Sequence, residues 1–281
     1  MKALFTLTPA ESKRLIARAV VQMPEVQRAK SNGYLVVARG VTNAYILEEL
    51  TGRPMDKELY VAGVNLRGVL CALDPERRLK PITFYKNQEL SIDPVDVLKE
   101  MKPGDVLLKG ANAVDSTWTV GVDMASSDGG TVGQFVVPLI ARGVTTIFPV
   151  GLEKMIPSVL EASRICGNKT FARSLGASIG VMPISTGQVV TEVQALEMLA
   201  GVQAVPVTAG GIGGSEGSVA LAVEGDNHRV EQCIEIVEAV KGEKALRGTK
   251  GICEKCHLTC DFRGRQEKDV PPYLQEPPGY L

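Results

Sequence analysis

Residues 34–50, YLVVARGVTNAYILEEL, pass from an apolar run through a glycine turn into a helical pattern. Residues 34–38 read as a buried strand, because a strand covered on both faces needs no polar alternation. The run breaks into Arg39-Gly40-Val41-Thr42-Asn43, and the helix that follows ends near Leu50. A strand entering a helix through a short polar turn is half of a βαβ unit, the building block of a parallel sheet.

The same order recurs outward from that stretch. Residues 106–108 form a strand that ends in Lys109-Gly110-Ala111-Asn112, Gly129-Gly130-Thr131 opens a helix over 132–141, residues 144–150 are a β-branched strand, and 156–165 are helical. Upstream, Thr8-Pro9-Ala10-Glu11 starts a helix with a capping box and an N1 proline. Leu15, Ile16, Ala19, Val20 and Met23 form its apolar face, Pro24 interrupts it and Gly33 closes the segment. Residues 59–90 carry two β-like stretches, and Asp93-Pro94 caps a further helix. The expected fold is therefore α/β over residues 1–179, a mainly parallel sheet with helices on both faces. Residues 180–245 follow a βαββα order, with AGGIGGSEG as a wide hairpin and Asp226 or Asn227 as a helix cap, which suggests a smaller ferredoxin-like α+β unit. Residues 246–281 hold a cysteine cluster and a proline-rich, polyproline-like tail.

The chain of 281 residues has a net charge of −1, so nothing in its balance draws it to nucleic acid or an anionic membrane. It has no apolar run long enough to span a bilayer and no signal-peptide pattern at its N-terminus, so a cytoplasmic location with reduced thiols is expected. Self-association into a homo-oligomer is expected too, with the lone Trp118 read as an interior or interface residue. His228, near a helix start, reads as a surface residue.

A helix-opening loop presents unpaired N–H groups at the positive end of the helix dipole, and glycine lets an anion approach them. Arg39, Gly40, Thr42 and Asn43 form one such loop; Gly129, Gly130 and Thr131 form a second; Lys109, Gly110 and Asn112 close a third strand end. Ligands of parallel α/β sheets bind beyond the carboxyl ends of the strands. Singly, each loop is an ordinary turn with a helix cap; together they predict a site for a small anionic metabolite. Lys109 is the candidate catalytic residue. It would stabilise an anion or, with its pKa lowered by burial, form an imine; the plainer alternative is a salt bridge to Asp115 or Asp128.

The order YLVVARGVTNAYILEEL, LLKGANAVD and GGTVGQFVVPLIARGVTTIFPVGLEKMI resembles the isomerase and CoA-transferase superfamily. That group takes in ribose 5-phosphate isomerase, glucosamine-phosphate deaminase, CoA transferases, translation initiation factor 2B subunits and the lactate-utilisation proteins. The resemblance places Gly40, Thr42 and Asn43 in the family's phosphate loop, Gly110, Ala111 and Asn112 in its Gly-Ala-Asp element, and Gly129 and Gly130 in its glycine-rich helix opening. It implies a phosphorylated or CoA-type metabolite and isomerase, transferase or lyase chemistry. The departures are chemical. Where ribose 5-phosphate isomerase carries Asp-Gly-Ala-Asp-Glu, this chain has Lys109-Gly110-Ala111-Asn112-Ala113, and a lysine and an amide cannot replace paired carboxylates in proton transfer. Asp115 and Asp123 lie close by in sequence. No glutamate occupies the glycine-rich setting of the CoA-transferase nucleophile, so neither activity carries over as it stands.

GICEKCHLTCDF spaces Cys253, Cys256 and Cys260 as C-x2-C-x3-C. Thiolates this close can share zinc or an iron–sulfur cluster. His257 is a candidate fourth ligand, although its adjacency to Cys256 strains chelation of one ion; Cys166, Cys233 or a partner subunit are the other candidates. CEKCH matches covalent haem attachment in form only. A disulfide or free thiols is the plainer reading. The cluster supports a competing function class, a non-enzymatic metal or redox sensor.

Overall fold

A computed structural model describes residues 1–90, 92 and 94–275. Strand β1 (Lys2–Leu7) leads into α1 (Pro9–Gln22) through the expected capping box, in which the Thr8 N–H donates to the Glu11 carboxylate at 2.9 Å. Leu15, Ile16, Ala19 and Val20 are fully buried, as their helical spacing requires. Helix α2 (Pro24–Asn32) ends at Gly33, where any β-carbon would collide with the Asp105 carboxylate. That carboxylate accepts from the Tyr34 N–H at 2.7 Å and so aligns β2 (Tyr34–Val37).

Helix α3 (Val41–Thr51) follows, then the hairpins β3 (Gly63–Leu66) with β4 (Val69–Ala72) and β5 (Ile82–Tyr85) with β6 (Gln88–Leu90). The chain continues through α4 (Pro94–Leu98), β7 (Val106–Leu108), β8 (Ala113–Val114), β9 (Val120–Met124), α5 (Gly130–Ala141) and β10 (Thr145–Pro149). Next come α6 (Val159–Ile165), β11 (Gly180–Ile184), β12 (Gln188–Val190), α7 (Glu192–Ala200), β13 (Gln203–Gly210), β14 (Ser218–Glu224) and α8 (Asn227–Glu238). The expected cap at Asp93 lies outside the described residues. Helix α6 starts later than residue 156, because the Ile156 N–H is taken by the Val114 carbonyl and Ser158 supplies the cap.

The main sheet is mixed, six strands in the order β12-β10-β7-β2-β5-β6. The first four run parallel; β5 and β6 add on antiparallel. Helix α3 and the β3–β4 hairpin lie between β2 and β5 in the chain, and β5 then enters the sheet antiparallel beside β2. Leu35, Val37, Val106 and Leu108 face one core with residues of α1, α2 and α3; Val36, Ala38 and Leu107 face another with residues of α4 and α5. Helices therefore cover both faces, which explains the unbroken apolar runs.

A second sheet, β1-β14-β13, is antiparallel. Its hairpin spans the glycine-rich stretch as expected, and α7 and α8 pack beside it. Its third strand comes from the N-terminus instead of residues 180–190. Strand β11 pairs with β9, and β12 joins the main sheet beside β10. The sheets are thus shared across residue 180. Among the described residues, 239–275 hold no α-helix or strand, only single 3-10 turns at Cys253–Lys255, Glu267–Asp269 and Pro272–Leu274. Of the proline-rich tail, Leu274 is buried and its carbonyl accepts from Arg67 at 2.9 Å, while residues 276–281 lie outside the described residues. Among the described residues no helix is long and apolar enough to cross a membrane.

Candidate functional site

Strands β2, β7, β10 and β12 end side by side: Val37 is opposite Leu108, Leu108 opposite Ile147, and Pro149 opposite Val190. Directly past these ends the chain places charge. Lys109 follows β7, Glu153 and Lys154 lie in the turn after β10, and Glu192 opens α7 after β12. Asp123 on β9 and Lys13 on α1 complete the cluster.

The Lys109 Nζ donates to the Gly110 carbonyl at 2.9 Å, and the Lys154 Nζ reaches across to the Ala111 carbonyl at 2.8 Å. Among the described residues neither ammonium has a carboxylate at ion-pair distance, whereas Lys13 pairs with Glu153 at 2.7 Å. A side chain at Gly151 would collide with the Glu153 carboxylate, so the glycine lets that group fold back over the strand end.

Burial dominates the electrostatics. It brings Lys109 down to about 8, with Lys154 adding to the drop and Asp123 opposing it. It raises Asp123 to about 6 against the pull of Lys109 and Lys154. Lys154 is lowered by burial, with Glu153 opposing. Glu192 is fully buried, and burial followed by the Glu153 charge pushes it up to about 7, even though it hydrogen-bonds Ser12 and accepts the Leu152 N–H at 2.9 Å. Burial pulls Glu153 upward as well, but Lys13 and Lys154 outweigh it and hold it below the usual carboxylate range. Charged groups left in poor solvent without full compensation are a mark of functional sites.

The loop after β2 is bonded to protein groups. The Arg39 Nε donates to the Leu79 carbonyl at 2.9 Å, and the Gly40 N–H to the Tyr60 carbonyl at 2.8 Å. Thr42 is buried. Asn43 is fully buried, and its Nδ2 donates to the carbonyls of Ala38 at 2.7 Å and Leu108 at 3.1 Å, tying the β2 and β7 ends together. The Tyr60 hydroxyl donates to the Val37 carbonyl at 2.7 Å and accepts from the Ile82 N–H at 3.0 Å. Protein groups thus fill the end of β2.

Asn112 is exposed, and its Oδ1 accepts the Asp123 main-chain N–H at 3.2 Å. The Gly130 N–H is taken by Asp128 at 2.9 Å, and Thr131 is exposed. Gly129 and Gly130 adopt left-handed φ values of 76° and 53°, and Val132 beyond them shares an apolar cluster with Ala111. Neither expected partner neutralises Lys109. Asp115 accepts the N–H groups of Thr117 at 3.0 Å and Val159 at 3.0 Å, fixing the β8–β9 turn and the start of α6. Trp118 is exposed in that turn, and His228 is exposed on α8. Sequence reading passed over Lys13, Glu153, Lys154 and Glu192. The available signal was an acid and a base directly behind a β-branched strand, in GLEKM.

A hollow of about 320 Å³ opens elsewhere, and none of Lys109, Asp123 or Lys154 lines it. Cys253, Cys256, Cys260 and His257 all border it, with Cys253 buried and His257 exposed. Cys166 and Cys233 do not; Cys233 belongs to the main core. The chain matches no family model, no curated protein and no solved structure.

Proposed function

We propose that the strand ends bind a small anionic metabolite, phosphorylated or of CoA type, at Lys109 and Lys154, and that Asp123 moves a proton on it. One observation carries this reading: among the described residues the Lys109 and Lys154 ammonium groups are bonded only to main-chain carbonyls and neither has a carboxylate at ion-pair distance, with Asp123 acting on both, and Glu153 and Glu192 on Lys154, from farther away. A bound anion would give these two ammonium groups the direct partner they lack. Asp123 near 6 suits general acid–base work at neutral pH. Lys109 near 8 is mostly charged at pH 7 and would stabilise an oxyanion developing beside it. The reaction class is proton transfer next to a carbonyl, as in an isomerase or lyase. Kinship with the isomerase and CoA-transferase superfamily belongs to the same proposal, supported by four parallel strands whose ends carry the charge.

The test is a thermal-shift panel of sugar phosphates and CoA esters. Free ligand at 100 times its Kd stabilises by about 2.7 kcal/mol, readily seen as a shift in Tm. At least one compound should shift the wild type and fail to shift both Lys109→Met and Lys154→Met. A panel without a shift, or a shift kept by both variants, overturns the reading.

A further inference from the structure

Residues 246–275 pose a physical problem. They hold no α-helix or strand among the described residues, yet they fold against the β3–β4 hairpin. The Gly251 N–H donates to the Ala72 carbonyl at 2.8 Å, and the Ser178 N–H to the Thr259 carbonyl at 2.8 Å. Their apolar support is a satellite cluster of Val69, Cys253, Phe262, Val270 and Leu274. So few buried side chains rarely hold an irregular segment of this length, and small units of this kind commonly rely on a covalent or metal staple.

The same place gathers sulfur. Cys71 on β4 borders the hollow of about 320 Å³ together with Cys253, Cys256 and Cys260, and Cys71 and Cys260 pack against the satellite cluster that contains Cys253. Cys71 is the fourth thiol that the C-x2-C-x3-C spacing lacks. It lies 182 positions before Cys253, so no local motif reveals it. His257 is the poorer candidate, because it is exposed and adjacent to Cys256. The Phe262 N–H donates to the Cys260 sulfur at 3.3 Å, and Lys255 and Arg263 border the same hollow. All four cysteines are free. Among the described residues no three metal-ligating side chains are already drawn round a common point, so loading would close the thiols onto the ion.

We propose that Cys71, Cys253, Cys256 and Cys260 form a four-thiolate site for a soft metal centre, a zinc ion or an iron–sulfur cluster, that staples residues 246–275 to the β3–β4 hairpin. Each ligand gives up its proton on binding, so the metal's binding free energy becomes folding free energy for this segment.

The test uses the full chain, purified without oxygen, with metal and sulfide counted and the absorption spectrum recorded. One zinc per chain with no colour identifies a mononuclear site; iron with acid-labile sulfide and a brown colour identifies a cluster. In wild-type protein, alkylation read by mass spectrometry should find Cys71, Cys253, Cys256 and Cys260 protected together and released together by a chelator, with Cys166 indifferent to it. Cys71→Ser should weaken metal retention against a competing chelator by more than the roughly 10–100-fold that loss of an outer-shell partner costs, and Cys166→Ser should not. Protein that stays metal-free after anaerobic challenge with zinc and with iron plus sulfide overturns the proposal. So does loaded protein in which Cys71 alkylates as freely as before. The alkylation pattern needs no variant, so it decides the matter even where Cys71→Ser fails to fold.

Discussion

Lys109→Met should make the empty protein more stable and at the same time remove its response to anions. Burial brings the Lys109 ammonium from 10.5 to about 8. At about 1.4 kcal/mol per pKa unit, that difference corresponds to a penalty of about 3 kcal/mol on the charged form. The side chain is partly solvent-exposed, and screening reduces the figure to about 2 kcal/mol. Methionine keeps the length of the stem without the charge, and it forfeits the hydrogen bond to the Gly110 carbonyl, worth about 1 kcal/mol. The expected net gain at pH 7 is therefore about 1 kcal/mol. Its pH dependence has a definite sign. Below about 8 the lysine is charged in both the folded and the unfolded chain, so the penalty is fully present. Between about 8 and 10.5 the folded lysine loses its proton first, so the wild type gains stability and closes on the variant. Urea unfolding of both proteins at pH 7 and pH 10 measures this, with the slope checked for constancy. A variant less stable than wild type at pH 7, or a difference that ignores pH, refutes the electrostatic account of the strand ends.

Glu192, raised from 4.5 to about 7, favours the folded state most below 4.5 and loses that contribution as pH rises through 7; Glu192→Gln should flatten the fall in Tm over this window, and an unchanged slope would place the titration elsewhere. Asn43→Ala removes the donors that serve the Ala38 and Leu108 carbonyls, and should cost about 1–3 kcal/mol in urea unfolding; a neutral result would show that water replaces the strut. Gly176 has φ of 123°, and a β-carbon there would lie 2.8 Å from the Leu70 N and O atoms. Gly176→Ala should destabilise the chain by more than about 1 kcal/mol and speed hydrogen exchange at the Ala177 N–H, which donates to the Leu70 carbonyl at 2.7 Å; slow exchange there would contradict it.

Much of the local structure was legible from residue order. YLVVARGVTNAYILEEL announced a buried strand and its helix, Thr8 and Glu11 their capping box, and Asp226 or Asn227 the start of α8, where the structure has Asp226 as the cap, because each feature is decided by neighbours a few positions away. Lys109 was legible too: a lysine ending an apolar strand has no packing reason to be there. The sequence did not show which elements would meet. Periodicity reports that a face is buried, not what covers it. Hence β1 pairs with β14 from the far end of the chain, and β12 joins the main sheet in place of a separate unit. Asn43 carries an amide that reads equally well as a ligand donor or a strut, and only its distances to Ala38 and Leu108 decide between the two. Lys154 and Asp123 acquire their altered proton affinities from desolvation and from each other, quantities that exist only once distant segments have packed together. Residue type thus set the local conformation and supplied the charges. The tertiary structure decided which of those charges would lose their water and face one another.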